Sequence, residues 1–350
     1  MTTLALPLAA GYRRSALRRL SLLALGLALL AGTFVLDLSI GPGPATIADV
    51  IGALTGTGTG DPRLQVVVFD LRLPVALMAV LIGAMLGLAG AGMQTILGNP
   101  LADPFTLGVS ASASVGASLA IAFGWAVIPG AGPFIVTANA FVFALLASLV
   151  LFALTKMRGV SAETMILVGI ALVFTSNALL ALIQYRSNET QLQQIVFWMM
   201  GSLGRASPDK ILVCAGGLAV ALPWLLARGW ALTALRLGDD RAENLGIRVD
   251  RLRLEVLALV SLLAAIAVAF AGTIGFVGLV GPHIARLVVG EDQRFSLPAA
   301  ALASGILLSL ASTLSKAVTP GVIYPVGMIT AFIGVPFFVS LILAIRHRGA

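Results

Sequence analysis

The 350-residue chain is 59% hydrophobic and only 11% charged, a balance that leaves too much apolar surface for a soluble fold and places the chain in lipid. Its net charge of +7 comes from short loops between apolar runs and not from a basic patch on a soluble face, which excludes nucleic acid as a partner. One cysteine, Cys214, excludes an internal disulfide, and two histidines, His283 and His347, are too few for a protein-built transition-metal site, so no metal ligands are expected.

In chain order, Arg13, Arg14, Arg18 and Arg19 precede an apolar run too long for a signal peptide, so a first membrane helix is expected near 17–38 behind a cytoplasmic tail of residues 1–16. The second span, near 74–97, follows the Arg72-Leu73-Pro74 tripeptide. It sets Gly83, Gly87 and Gly90 on one helical face, where small residues let another helix come close. Met78, Met85, Met93 and Gln94 lie elsewhere on that helix, either as a flexible thioether surface for a bulky cargo or as plain core filler. Met85, Met93, Gln94 and the following Asn99 are the candidates for lining a translocation path. Residues 99–104, bracketed by Pro100 and Pro104, form a rigid turn.

Spans near 107–127, 133–155 and 164–185 follow, with the polar turn Ser161, Ala162, Glu163, Thr164 between the last two. The stretch at about 190–203 is too amphipathic to cross and too apolar to float free. A short helix lying on the outer membrane surface is expected there, its Phe197 and Trp198 serving as interfacial anchors or as the rim of an outward mouth. After a span near 209–228, the longest cytoplasmic loop, 229–252, carries a break at Gly238 and Asp239, then a short helix through Asp240, Arg241, Ala242, Glu243 and Asn244 to Leu245, stopped at Gly246. It is either a solvated turn or a helix that plugs into another protein, which would explain Ala242 and Leu245 among the charges. The last spans are near 254–273, 275–288, 296–315 and 326–346, before a tail of residues 347–350. Gly275, Gly278 and Gly281 lead to Pro282, which removes a backbone donor and makes this short eighth span a candidate hinge.

The fold expected is therefore all-α: a polytopic membrane protein with ten transmembrane helices in one domain, 17–346. Ten crossings put both termini on one side. The opposite side then keeps only Arg63, Arg72, Arg186, Arg205, Lys210 and Lys316 of the 22 Lys and Arg residues, so the termini are cytoplasmic. The acidic residues within the spans, Asp37, Asp209 and Glu255, all stand within two residues of a span end, and the chain has no GxxxxGK[ST] phosphate loop. Such a chain neither binds ATP nor offers the intramembrane groups that proton coupling needs. Uphill transport would draw its energy from another polypeptide at the cytoplasmic loops.

At RLP (72–74), GNPLADPFTLGVSASASVGA (98–117), FWMMGSL (197–203), LGDDRAENLGI (237–247), GTIGFVGLVGPHIARL (272–287) and YPVGMITAFIGVPFF (324–338) the chain resembles the FecCD-type permeases. These are membrane subunits of type II ABC importers for ferric siderophores, heme and vitamin B12. The resemblance covers residues 64–346 in the family's order. It implies the type II permease fold in a bacterial inner membrane and a dimer of permeases, homo- or heteromeric. It also implies two cytoplasmic ATPases that bind the ATP and Mg, with no cofactor in this chain, and an extracytoplasmic binding protein that delivers an iron-siderophore or related chelate. By the same resemblance, Gly238 to Leu245 would be the ATPase-coupling helix and Ser161 to Thr164 the cytoplasmic gate. Arg72 and Lys316 would meet acidic residues of the binding protein, although Val75 stands where family members often carry a second arginine. The alternative reading is a proton-coupled secondary transporter of the major facilitator type, because GDDRAENLGIRVDR faintly resembles that group's charged loop. A membrane-embedded enzyme ranks behind both, since no catalytic side chains cluster in the spans.

Overall fold

With no water in the bilayer core, every backbone polar group of a spanning chain needs an internal partner, and only helices supply that within one segment. The computed structural model describes residues 5–348 apart from 42, 44, 45, 58–60, 159, 160 and 320, and among the described residues it contains helices and no strands. The elements are α1 (Ala5–Ser39), α2 (Ile47–Thr55), α3 (Pro62–Gln65), a π-helical turn (Val66–Arg72), α4 (Leu73–Ile96), α5 (Val109–Phe123), α6 (Ile135–Arg158) and α7 (Ala162–Arg186). They continue with α8 (Glu189–Met199), α9 (Pro208–Ala227), α10 (Gly229–Leu235), α11 (Asp239–Asn244), α12 (Val249–Ala271), α13 (Val277–Val289), α14 (Gln293–Ala317) and α15 (Val326–Arg348). Seven helical segments are long and apolar enough to cross a membrane, and three shorter apolar helices, α5, α13 and the Val326–Ser340 part of α15, complete the series expected from the sequence. Helix α1 takes in most of the expected tail, whose first four residues lie outside the described residues, as do 349 and 350.

Helix α13 has 13 residues, which at 1.5 Å per residue reach about 20 Å, short of a hydrocarbon core of about 30 Å. The chain makes up the difference with the non-helical segment 272–276, which is possible only because protein covers it. Ser202 N–H donates to Ala271 O at 2.7 Å, the Thr273 hydroxyl donates to Met199 O, and Gly327 N–H donates to Met200 O at 3.1 Å. Phe276, at φ 67°, turns this segment into α13.

Helix α4 is the axis of the bundle, packed on α14, α12, α13 and α9. Its glycine face lies where backbones nearly touch. A Cβ on Gly83 would sit 2.5 Å from Ser304 O, one on Gly87 would overlap Ala300 O and the Ser304 side chain, and one on Gly90 would overlap the Gly278 carbonyl. From the other side, a Cβ on Gly278 would meet Leu86 O at 3.0 Å and one on Gly281 would overlap Ser304 Oγ. Gly275 is different. Nothing lies within 4 Å of its Cβ position, so it takes no part in this packing.

Charge is buried where α1, α4 and α14 meet. Asp37, fully buried, pairs with Lys316 Nζ at 2.6 Å and accepts from the Ser312 and Thr313 hydroxyls at 3.0 and 3.1 Å, while Lys316 also donates to Asp37 O at 2.9 Å. Beside them the Arg72 guanidinium donates to Leu38 O and Ser39 O at 3.0 Å and to Gly41 O at 2.9 Å, closing the otherwise unpaired carbonyls at the end of α1. Arg72 and Lys316, expected on the outer surface, therefore turn their charges inward, with Arg72 only 5% exposed and the Lys316 side chain 6%.

Two outcomes follow from this packing. Gly90→Ala should destabilise the detergent-solubilised protein by at least the ~1–3 kcal/mol typical of overpacking, read as a lower melting temperature. Gly216→Ala, with nothing within 4 Å of the new Cβ, should leave the melting temperature unchanged or slightly raised. Lys316→Met should cost about 3–5 kcal/mol because it strands a buried carboxylate, and adding Asp37→Asn should restore much of the loss in the same melt.

Candidate functional site

The cytoplasmic end is organised by α11. Gly238 at φ 103° and Gly246 at φ 81° break the chain on either side, and Gly246 N–H and Ile247 N–H return to Glu243 O and Ala242 O at 2.8 and 3.1 Å, closing the helix end. Arg253 of α12 holds it. Its two terminal nitrogens donate to the Asp239 carboxylate at 2.7 and 2.9 Å while Nε donates to Ile96 O, the last residue of α4, at 2.9 Å. The planar guanidinium thus joins α11, α12 and the end of α4 through one rigid fork. Next to it, Arg236 pairs with Glu291 at 2.7 Å and Thr233 Oγ1 accepts from Gln293 N–H at 2.9 Å, which binds α10 to the α13–α14 connection.

Within α11 the sequence reading needs one correction. Ala242 is fully buried in the chain's own core, so it cannot be an apolar tooth offered to a partner. The surface of this loop consists of Asp239, Asp240, Arg241, Glu243 and Asn244, bracketed by the exposed Leu237 (56%) and Leu245 (51%). Leu237 was missed because it precedes the helix, on the far side of the break at Gly238. The N-cap is Gly238, and Asp239 is the first helical residue.

The path candidates also move. Met85, Met93 and Gln94 are at most 3% exposed in the core of this chain and cannot line a channel from there. The thioethers are core filler. The Gln94 carbonyl accepts from Arg286 of α13, while Asn99, half-buried in the turn, accepts at Oδ1 from Leu101 N–H at 2.9 Å. Asp103 closes the same turn by accepting from Phe105 N–H at 2.9 Å. Burial pushes its carboxyl up to about 6, opposed by that N–H. A raised carboxyl pKa favours folding below the ordinary value and loses that contribution as pH rises through about 6. At the proposed gate, Ser161 caps α7 by accepting from Thr164 N–H at 3.1 Å, with Ala162 half-buried and Glu163 exposed in the first turn.

At the opposite end lies α8, begun by a reciprocal cap between Asn188 and Gln191 and tied to α5 by Gln191 Nε2 donating to Ala122 O at 2.7 Å. Ile195 and Trp198 face inward and Phe197 is exposed. The amphipathic helix expected at about 190–203 is thus eleven residues, 189–199. Together with the starts of α6 and α9 and the segment before α15 it lines an open cavity of about 780 Å³ whose walls include Phe134, Trp198, Arg205, Lys210 and Tyr324. A second cavity of about 280 Å³, which Arg72 and Lys316 line, shares Ser202, Ile323 and Tyr324 with the first.

Known proteins share this architecture and sequence. The FecCD transport family matches residues 29–344. The hemin transport system permease protein HmuU of Yersinia pestis is 35% identical over 84% of this chain and 88% of its own length. The vitamin B12 import system permease protein BtuC of Vibrio vulnificus is 37% identical over 78% of this chain and 82% of its own. A solved structure, described as an inward-facing conformation of an ABC transporter provisionally assigned to the metal-chelate type, superposes with a TM-score of 0.80 at 30% identity, covering 93% of this chain and 99% of that one. With sequence and fold agreeing over nearly the whole length, the chain belongs to the FecCD transport family.

Proposed function

We propose that the chain is the permease subunit of an ATP-driven ABC importer, carrying an iron-siderophore complex, or heme or cobalamin, across the bacterial inner membrane. It would pair with a second permease, two cytoplasmic ATPases holding ATP and Mg, and an extracytoplasmic binding protein. The observation that carries the reading is α11: a six-residue helix with two exposed leucines at its borders, pinned by Arg253 to both α12 and α4. A helix held so firmly within its own chain, with a charged outer face flanked by two exposed leucines, suits the transfer of a push from an ATPase groove into the spanning helices. Membership of the family supports the same assignment.

The secondary-transporter alternative loses its basis. Its charged-loop likeness falls on α11, inside the family match, and Asp37, the buried acidic residue within a span that could have carried a proton, is committed to Lys316. Because Arg72 and Lys316 are buried, the exposed outer cations Arg63 and Arg186 are the better candidates for binding-protein docking. Gating remains with the Ser161 turn, where breaking one cap would free the start of α7.

Two experiments test the assignment. Reconstituted alone in liposomes, the chain should accumulate no chelate; with its ATPase and binding protein, uptake should appear and depend on ATP. Uptake driven by a proton gradient in the isolated chain would overturn the importer reading. For the coupling helix, Leu245→Glu should cut ATPase co-purification by tenfold or more, since a charge buried without a partner at an interface costs roughly 2 kcal/mol or more. Wild-type co-purification and transport in a correctly inserted variant would remove α11 from the interface.

A further inference from the structure

The start of α1 carries more positive charge than the chain itself neutralises. Spacings of three and four residues set Gly11, Arg14, Ser15, Arg18, Arg19 and Leu22 on one helical face, which forms one wall of an open groove of about 770 Å³. The other wall is the end of α13, Leu287 to Gly290. Arg19 is used within the fold: its guanidinium pairs with Asp292 at 3.3 Å and lies 5.2 Å from the Phe295 ring centroid. Arg14 and Arg18 are exposed and make no ion pair among the described residues, although like charges four residues apart on a helix repel. The acidic residues that follow α13 are already taken. Glu291 pairs with Arg236 at 2.7 Å, and Asp292 accepts from Arg294 at 2.8 and 3.0 Å as well as from Arg19.

A cation beside the C-terminus of α13 complements the partial negative charge there, and Arg19, whose Nη2 lies 3.6 Å from the Cβ position of Gly290, fills that role. The effect falls off within the last turn, so it does not account for Arg14, five residues earlier on α1. The groove is also apolar on the side of the spans. Leu287 is 70% exposed and Val288 48%, both in the last turn of α13, and Leu22 lies inside the apolar run of α1. Charge outermost and hydrocarbon beneath it is the order of a phospholipid, phosphate above acyl chains. An acidic protein surface would engage the arginines and leave Leu287 and Val288 in water. The groove opens at the same end of the bundle as α11, since Glu291, just past α13, is the partner of Arg236. By the charge asymmetry of the loops that is the cytoplasmic end.

We propose that the groove between the start of α1 and the end of α13 is a binding site for an anionic phospholipid, whose phosphate accepts from the Arg14 and Arg18 guanidinium groups while its acyl chains cover Leu287 and Val288. The guanidinium fork matches phosphate oxygens two at a time, and basic pockets between spanning helices on the cytoplasmic side hold such headgroups. A lipid seated there ties α1 to α13, the helix that carries the buried Pro282. The site is independent of what the chain transports.

The test is lipid binding to the purified full chain in detergent, read by native mass spectrometry and by melting temperature. Dioleoyl phosphatidylglycerol is the anionic probe, dioleoyl phosphatidylcholine the neutral one and inorganic phosphate the soluble one. Phosphatidylglycerol should bind saturably, raise the melting temperature, and bind at least tenfold more tightly than phosphatidylcholine. Its Kd should rise tenfold or more in Arg14→Gln/Arg18→Gln. In Lys156→Gln/Arg248→Gln, which removes the same charge from exposed positions outside the groove, the Kd should stay within twofold of wild type. Leu287→Gln should weaken phosphatidylglycerol binding severalfold, a loss that charge alone does not produce. Lipid-free melting temperatures near wild type in all three variants guard against misfolding as the cause. Equal binding of the two lipids, equal losses in the two double variants, or an unchanged Kd in Leu287→Gln would overturn the proposal. Displacement of the lipid by inorganic phosphate would overturn it as well, making the groove a site for a soluble anion.

Discussion

The approach of α4 to α13 and α14 sets what the rest of the molecule can be. Lipid tails are as apolar as leucine, so helices in a bilayer gain by contact area and not by escape from water. Contact area here is gained by leaving side chains out. Gly83, Gly87 and Gly90 on α4 face Ser304, Ala300 and Gly278, and Ser304 itself donates to Val277 O at 3.2 Å, so three helices close around one small polar residue. The Asn99–Pro104 turn belongs to the same contact, because Asp103 Oδ2 bounds the Cβ position of Gly278 at 3.2 Å. A turn that looks independent in the sequence is seated on the helix crossing.

Buried charge then fixes both ends of that axis. Arg72, just before α4, satisfies the carbonyls that end α1, and Arg253 satisfies the carbonyl of Ile96 that ends α4. Neither group needs to be a surface ligand to be indispensable, since removing one partner from a desolvated pair costs more than the pair contributes. The same economy explains Gln94 and Arg286, which join α4 to α13 one turn from the cytoplasmic end.

The ten spans were legible because hydropathy and charge asymmetry are local, additive properties of the chain. The glycine face of α4 was legible for a similar reason, as spacings of three and four can be read without knowing the partner helix. Burial direction was not legible. Ala242 sits among charges in the sequence and in the core in space, and Lys316 lies at a helix end yet turns inward because Asp37, 279 residues away, waits there. Methionines at helical spacing carry no mark of whether they face cargo or core; Met85 and Met93 face core. The cavity wall drew residues from five separate segments, and of these only the aromatic run of α8 announced itself.

A connection between the cytoplasmic face and the cavity needs elements that touch both. Segment 272–276 with α13 does so. At its start, Gly272 and Thr273 pack on the backbone of Trp198 and Met199, the back of the cavity wall. At its end, Arg286 holds Gln94 of α4 and the following Glu291 holds Arg236 beside α11. Pro282 lies between, buried and without an N–H to give. Along this connection the glycine contacts of α4 leave no slack, whereas the non-helical lead of α13 lacks the i→i−4 ladder that would stiffen it.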